Sequence, residues 1–111
     1  MTLKKAEKIT GCVIHVLSSD DTYTAEAVED GRTIASAHGK KLKKVLDQLV
    51  ASVYSIRAER ARVASGFRCK YCGKIVPLQT HHRVHRARGQ RDDRVENLDV
   101  LCHECHHRCH S

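Results

Sequence analysis

Aromatic residues are scarce in this sequence: phenylalanine, tyrosine and tryptophan together make up 4% of it, and tryptophan is absent. It contains one proline, and no run approaches the roughly 18 apolar residues that a membrane-spanning helix needs. The N-terminal basic residues are not followed by the apolar segment of a secretory signal. We therefore expect a soluble, unsecreted, cytoplasmic protein with no membrane partner, whose thin apolar core needs reinforcement.

The length of 111 residues allows one compact domain or two very small ones, which excludes a large cofactor-binding fold. A formal net charge of +7 suggests a polyanionic partner. Residues 1–56 hold eight basic residues against seven acidic ones, whereas residues 57–111 hold twelve against six. We expect the C-terminal half to face the polyanion.

The N-terminal half has the pattern of a small antiparallel sheet followed by one long helix. Apolar or alternating segments bounded by turn residues predict three strands, at residues 12–17, 23–27 and 32–37. The pair Asp30-Gly31 is typical of a two-residue hairpin turn between the second and third strands. Helical spacing of apolar residues from Lys40 to about Ala64 predicts the helix, with Gly66 as its C-terminal stop. Near its end, Arg57 and its basic neighbours are expected on a solvated face.

Metal-ligating residue types are concentrated in residues 67–111, which hold five of the six cysteines and seven of the nine histidines. Two Cys-x-x-Cys pairs, Cys69 with Cys72 and Cys102 with Cys105, predict a closed four-thiolate zinc site that would offset the thin core. A secreted disulfide scaffold is the alternative, but a reducing compartment favours metal. The 29 residues between the pairs exceed the usual zinc-ribbon spacing, so the inserted segment is expected to carry the function.

The inserted segment contains His81-His82, and Asn97-Leu98 begins fifteen residues after the second histidine. Leu101-Cys-x-x-Cys-His106 follows, with His106 nine residues after Asn97. With both cysteine pairs around it, this ordered set resembles the HNH endonuclease family, over about residues 67–110. The resemblance implies a β-hairpin followed by a helix, a divalent catalytic ion, and products with 5′-phosphate and 3′-hydroxyl ends.

The residues support the same chemistry. Adjacent residues of a strand point to opposite sides, so one of His81 and His82 can hold a metal while the other approaches the substrate. On a helix, the thiols of Cys102, Cys105 and Cys109 would lie on one side. The imidazoles of His106 and His110 would lie on the neighbouring side. The resemblance implies His81, His106 and His110 as metal ligands and His82 as the general base.

A neutral imidazole suits the role of base near pH 7. Asn97 is expected to orient the site, either by bonding to backbone across the loop or by bonding to the ring of His82. The ion could be Mg²⁺, Mn²⁺, Ni²⁺ or Zn²⁺, because a third imidazole shifts preference towards the softer ions. We expect Arg86, Arg88 and Arg91 to contact backbone phosphates.

Together these features predict an α+β protein with a module of unknown role at 1–66 and a zinc-stapled ββα-metal (HNH) unit at 67–111. The leading hypothesis is a phosphodiester hydrolase acting on DNA, with RNA left open, by nicking or double-strand cleavage. The N-terminal module could position substrate, bind a protein partner or form a homodimer. The alternative is a non-catalytic zinc-ribbon protein that binds nucleic acid. A stand-alone toxin or a phage-packaging nuclease would share the chemistry.

Overall fold

A computed structural model describes residues 1–75, 77–83 and 91–109 of the chain. The elements follow in the order α1 (Leu3–Thr10), β1 (Val13–Ser19), β2 (Thr22–Glu29), β3 (Arg32–Gly39), α2 (Leu42–Ala64), β4 (Leu78–His82), β5 (Leu98–Cys102) and α3 (His103–Cys109). This confirms the predicted α+β class. Within the described ranges, no helix is both long enough and apolar enough to cross a membrane.

The chain divides into two compact units, Met1–Ser55 and Ile56–Ser111. The division falls inside α2, which begins in the first unit and ends in the second. The modules proposed at 1–66 and 67–111 place the boundary after this helix instead, and their independence remains a prediction.

The first unit contains a three-stranded antiparallel sheet in the order β1-β2-β3. Both of its hairpins have two-residue turns, Asp20-Asp21 and Asp30-Gly31, in which all four residues have positive φ. That geometry matches the right-handed twist of the strands, and it confirms the predicted turn at Asp30-Gly31. The first turn was not predicted, because Asp-Asp lacks the glycine that marks such turns.

The core of the first unit is formed by α1, the sheet and the first part of α2. Its buried residues are Ala6, Ile9, Cys12, Ile14, Ala25, Ala27, Val45, Leu46, Leu49, Val50 and Val53. Helix α1 was not predicted, although it carries ordinary end signals. The Thr2 hydroxyl accepts from the backbone N–H of Lys5, and the N–H of Gly11, which has φ 67°, donates to the carbonyl of Glu7.

Helix α2 ends as predicted, with Gly66 just beyond it at φ 68°. The Gly66 and Phe67 N–H groups donate to the carbonyls of Val63 and Arg62. These bonds satisfy carbonyls that a helix terminus leaves without intrahelical partners.

The second unit is built around the antiparallel hairpin of β4 and β5 and the short helix α3. In the hairpin register Leu78 lies opposite Cys102, His81 opposite Asp99 and His82 opposite Leu98. Cys102 is therefore the last residue of a strand, and the prediction that it lies on the same helix as Cys105 is wrong. Pairing with Leu78 keeps Cys102 extended, so helix α3 begins one residue later, at His103.

Candidate functional site

The four cysteines of the two Cys-x-x-Cys pairs form one cluster. Two come from the turn before β4, Cys102 ends β5, and Cys105 lies in the first turn of α3. Their sulfur atoms all lie within 4.8 Å of one another, and the Sγ atoms of Cys72 and Cys102 are 3.6 Å apart. Because Zn–S bonds are near 2.3 Å, a tetrahedral zinc site has S–S edges of about 3.8 Å. The four sulfurs therefore fit a zinc ion.

The backbone of the first pair is folded for this arrangement. Gly73 has φ 72° and its N–H donates to the carbonyl of Cys69 at 3.0 Å, while the N–H of Cys69 donates to the carbonyl of Lys74 at 3.2 Å. The N–H of Lys70 donates to the carbonyl of Val100 at 2.9 Å, which ties the turn to β5. A left-handed residue after the second cysteine lets the chain reverse around the sulfurs.

The electrostatics of the cluster are unequal. Burial would raise the pKa of the Cys69 thiol, but backbone hydrogen bonds at Cys72, Cys102 and Tyr71 outweigh it and lower that pKa to about 6. Hydrogen bonding to Cys102, together with burial, raises the pKa of the Cys105 thiol to about 12. One thiolate is thus favoured, and a second beside it is disfavoured. A cation among the sulfurs removes this conflict, because metal binding displaces the thiol protons.

The two histidines of β4 lie in different surroundings, as their adjacency predicts. The ring of His81 lies beside that of His106 from α3, with 5.4 Å between centroids and an angle of 76° between planes. Two imidazoles on different elements are thus close enough to be considered for one metal site. His110, the third expected ligand, lies outside the described residues.

His82 is buried and bonded to a carboxylate that the sequence interpretation missed. Its Nε2 lies 2.8 Å from Oδ1 of Asp93, a residue with no exposed surface. Asp93 also accepts from Arg91, at 3.1 Å from Nε and 2.8 Å from Nη2. Asp92-Asp93 is the one acidic pair after the basic segment 83–91, which was the available sequence signal.

Asn97 stabilises the segment that carries Asp93. Its side-chain Nδ2 donates to the carbonyl of Asp92 at 2.7 Å, and its own carbonyl accepts from the N–H of Arg83 at 2.8 Å. This is the first of the two expected bonding modes, to backbone across the loop. Asn97 therefore contacts the residue after β4 through its backbone carbonyl and the loop beside His82 through its side chain.

Arg57 and Arg91 both contact Asp93. Arg57 is only 3% exposed and its Nη1 lies 3.4 Å from the carbonyl of Asp93, so the predicted solvated position is wrong for this residue. The side chain of Arg57 is buried because this part of α2 faces the loop that carries Asp93 rather than water. Arg91 forms the ion pair with Asp93, and contact between Arg91 and phosphate remains a prediction. Arg86 and Arg88 lie outside the described residues.

Comparison with known proteins gives one finding. The model of the HNH endonuclease family matches residues 69–111, which confirms the resemblance carried by the histidine and cysteine motifs. The match includes all four clustered cysteines and every histidine expected to act at the site, and it leaves residues 1–68 unmatched. No curated protein and no solved structure matches the chain.

Proposed function

From the premise that residues 69–111 form an HNH endonuclease domain, we propose that the protein is a metal-dependent endonuclease that hydrolyses phosphodiester bonds in DNA. One observation carries this proposal. Adjacent residues of one strand are divided between two settings, with His81 beside another imidazole and His82 bonded to a buried carboxylate. Hydrolysis needs both kinds of setting, one for a cation and one for a base.

We propose that Cys69, Cys72, Cys102 and Cys105 hold a structural zinc ion. Among the described residues, Cys69, Cys102 and Cys105 form one small core with Leu101 and the partly buried Leu78. Zinc would therefore add folding energy to that of apolar burial in this unit.

We propose that His81 and His106, with His110, hold the catalytic divalent ion, which is Mg²⁺, Mn²⁺, Ni²⁺ or Zn²⁺. When bound, such an ion polarises a phosphate oxygen and the leaving oxygen as a Lewis acid. The donor set of imidazoles on β4 and α3 is compatible with this role, because neutral imidazole is a common ligand for divalent metals.

His82 acts as the general base in this proposal. Asp93 is an acceptor, so the Nε2 of His82 must carry the proton in their hydrogen bond. In the neutral ring the lone pair is then on Nδ1, which takes the proton from the attacking water. The imidazolium that forms is stabilised by the carboxylate of Asp93. Asn97 orients this loop, and Arg86, Arg88 and Arg91 meet phosphates near the site.

The burial of His82, at 7% exposed, favours a second candidate, the non-catalytic zinc-ribbon protein that binds nucleic acid. A histidine whose Nε2 is already bonded to a carboxylate could serve structure alone. The two candidates bind the same class of ligand and differ in whether His82 reacts.

The test is cleavage of supercoiled plasmid by the zinc-loaded protein with each divalent ion in turn. We expect cleavage with at least one ion, and loss of cleavage in His82→Ala and His82→Gln with nucleic-acid binding retained. His107→Ala is the matched control, because His107 is an exposed histidine of α3. Unchanged cleavage by folded His82 variants would refute His82 as the base, and no cleavage with any ion would favour the second candidate.

A further inference from the structure

A cleft of about 510 Å³ lies in the second unit, and Cys69 is the one residue of the four-cysteine cluster among its lining. Three basic side chains line it, those of Arg68, Lys70 and Arg83, and Asp99 is the one acidic residue among its lining. Small and apolar residues of α2 and β5 complete its walls. The cleft thus combines an excess of positive charge with a concave surface.

Asp99 organises the cations. Its side chain is 6% exposed, and its Oδ1 accepts from Nζ of Lys70 and from Nε of Arg83, each at 3.0 Å. Burial would raise the pKa of Asp99, but these two hydrogen bonds outweigh it and hold the pKa below its usual value. A single ionised carboxylate therefore faces two cations, and Arg68 adds a third positive charge.

The basic side chains keep donors available for a ligand. Arg83 bonds Asp99 through Nε, and within the described part of the chain its two Nη groups make no hydrogen bond. Lys70 and Arg83 are 42% and 55% exposed. Among the described residues, Arg68 bonds to the carbonyl of Gly73, at 3.5 Å. A guanidinium held by Nε presents its remaining N–H groups in the fork that suits phosphate oxygens.

We propose that this cleft binds a phosphodiester of the nucleic-acid backbone. The choice of nucleic acid rests on the proposed function, and the inference adds Arg68 and Lys70 to the contacts expected from the sequence. Arg83 directly follows His82 in the chain, so the cleft adjoins the end of β4 that carries the proposed base. A phosphate bound there would hold the backbone near the reacting bond without contributing to the chemistry.

The test is the salt dependence of binding to a labelled DNA duplex, measured by fluorescence anisotropy in the His82→Gln background. The logarithm of the binding constant falls linearly with the logarithm of the salt concentration. Each lost phosphate contact should make this slope less steep by about 0.9. We expect this reduction for Lys70→Gln and for Arg68→Gln, and about twice it for the double variant. Lys70→Arg should keep the wild-type slope, because it keeps the charge.

Lys74→Gln is the matched control, since Lys74 is an exposed lysine of the same turn that does not line the cleft, and its slope should not change. Zinc content and thermal melting are measured for every variant. An unchanged slope in both Gln variants would overturn the proposal and leave the cations as counter-charges for Asp99. So would a Lys70→Arg protein that binds like Lys70→Gln, because the effect would then not depend on charge.

The two proposals fail separately. Binding is measured without cleavage, so a protein that never cleaves but shows the reduced slopes refutes only the catalytic role. A protein that cleaves, with slopes that do not respond to Lys70 or Arg68, refutes only the cleft.

Discussion

Replacing Asp93 with alanine removes the acceptor for two donors at once. Asp93 has no exposed surface, and it bonds His82 through one contact and Arg91 through both Nε and Nη2. The alanine variant leaves a buried imidazole and a guanidinium that is 30% exposed without their carboxylate. Asp93→Asn keeps the volume, removes the charge and replaces one acceptor oxygen with an NH₂ donor.

The expected loss is about 3 kcal/mol in the second unit. Removing one partner of a buried pair costs roughly 3–5 kcal/mol, and the lower end applies because water can partly solvate Arg91. The free energy of unfolding should fall less in Asp93→Asn, because its amide oxygen can still accept from one of the two donors.

Asp92→Ala is the matched control. Asp92 is also paired bidentately with an arginine, Arg94, but that arginine is 53% exposed. Ion pairs at the surface contribute little, because water and salt screen them. The comparison therefore separates the effect of burial from that of pairing.

Hydrogen exchange of the β4 and β5 amides measures the difference in the zinc-loaded protein. A loss of about 3 kcal/mol corresponds to exchange roughly 150-fold faster, because amides that exchange through a rapid opening equilibrium report its free energy. Equal acceleration in Asp93→Ala and Asp92→Ala would refute the reasoning, because burial would then make no difference.

Three other changes test the same unit. Cys105→Ser should abolish zinc binding by the cysteine cluster and most amide protection in the second unit, measured by metal analysis and hydrogen exchange; full protection without zinc would contradict a structural role for the cluster. His106→Ala should abolish cleavage while the zinc of the cysteine cluster is kept, and retained cleavage would exclude His106 as a ligand of the catalytic ion. Arg57→Ala should lower the free energy of unfolding in urea by about 2 kcal/mol, through lost packing and a lost hydrogen bond, whereas Arg60→Ala, at an exposed position, should change it by less than about 0.5 kcal/mol. Equal losses for the two arginines would show that burial of Arg57 does not contribute.

Local patterns were sufficient for most of the secondary structure. Apolar periodicity predicted the three strands and α2, and Gly66 predicted the end of that helix, because each signal acts through residues a few positions apart. Helix α1 was missed because only Ala6, Ile9 and Thr10 are buried along its length. The helix has eight residues, or about two turns, so few residues define its apolar face.

The error at Cys102 has a different cause. Helical geometry was extended back to this residue, but the register with Leu78 places it in β5. Cys102 can either pair with a residue of another strand or add one more residue to helix α3. Which of the two occurs depends on contacts outside the segment. A helical pattern within seven residues carries no information about that partner.

The sequence by itself determined which atoms are available for chemistry and in what order: four thiols in two pairs, two neighbouring imidazoles, and a later asparagine and histidine. It also determined the separation of His81 from His82, because alternation is a property of any strand. Only the tertiary structure decided that Asp93 and Asp99 are the carboxylates that organise His82 and the basic cleft. Pairing of charges depends on which side chains the loops and strands bring within about 3 Å, and no spacing along the chain specifies that distance.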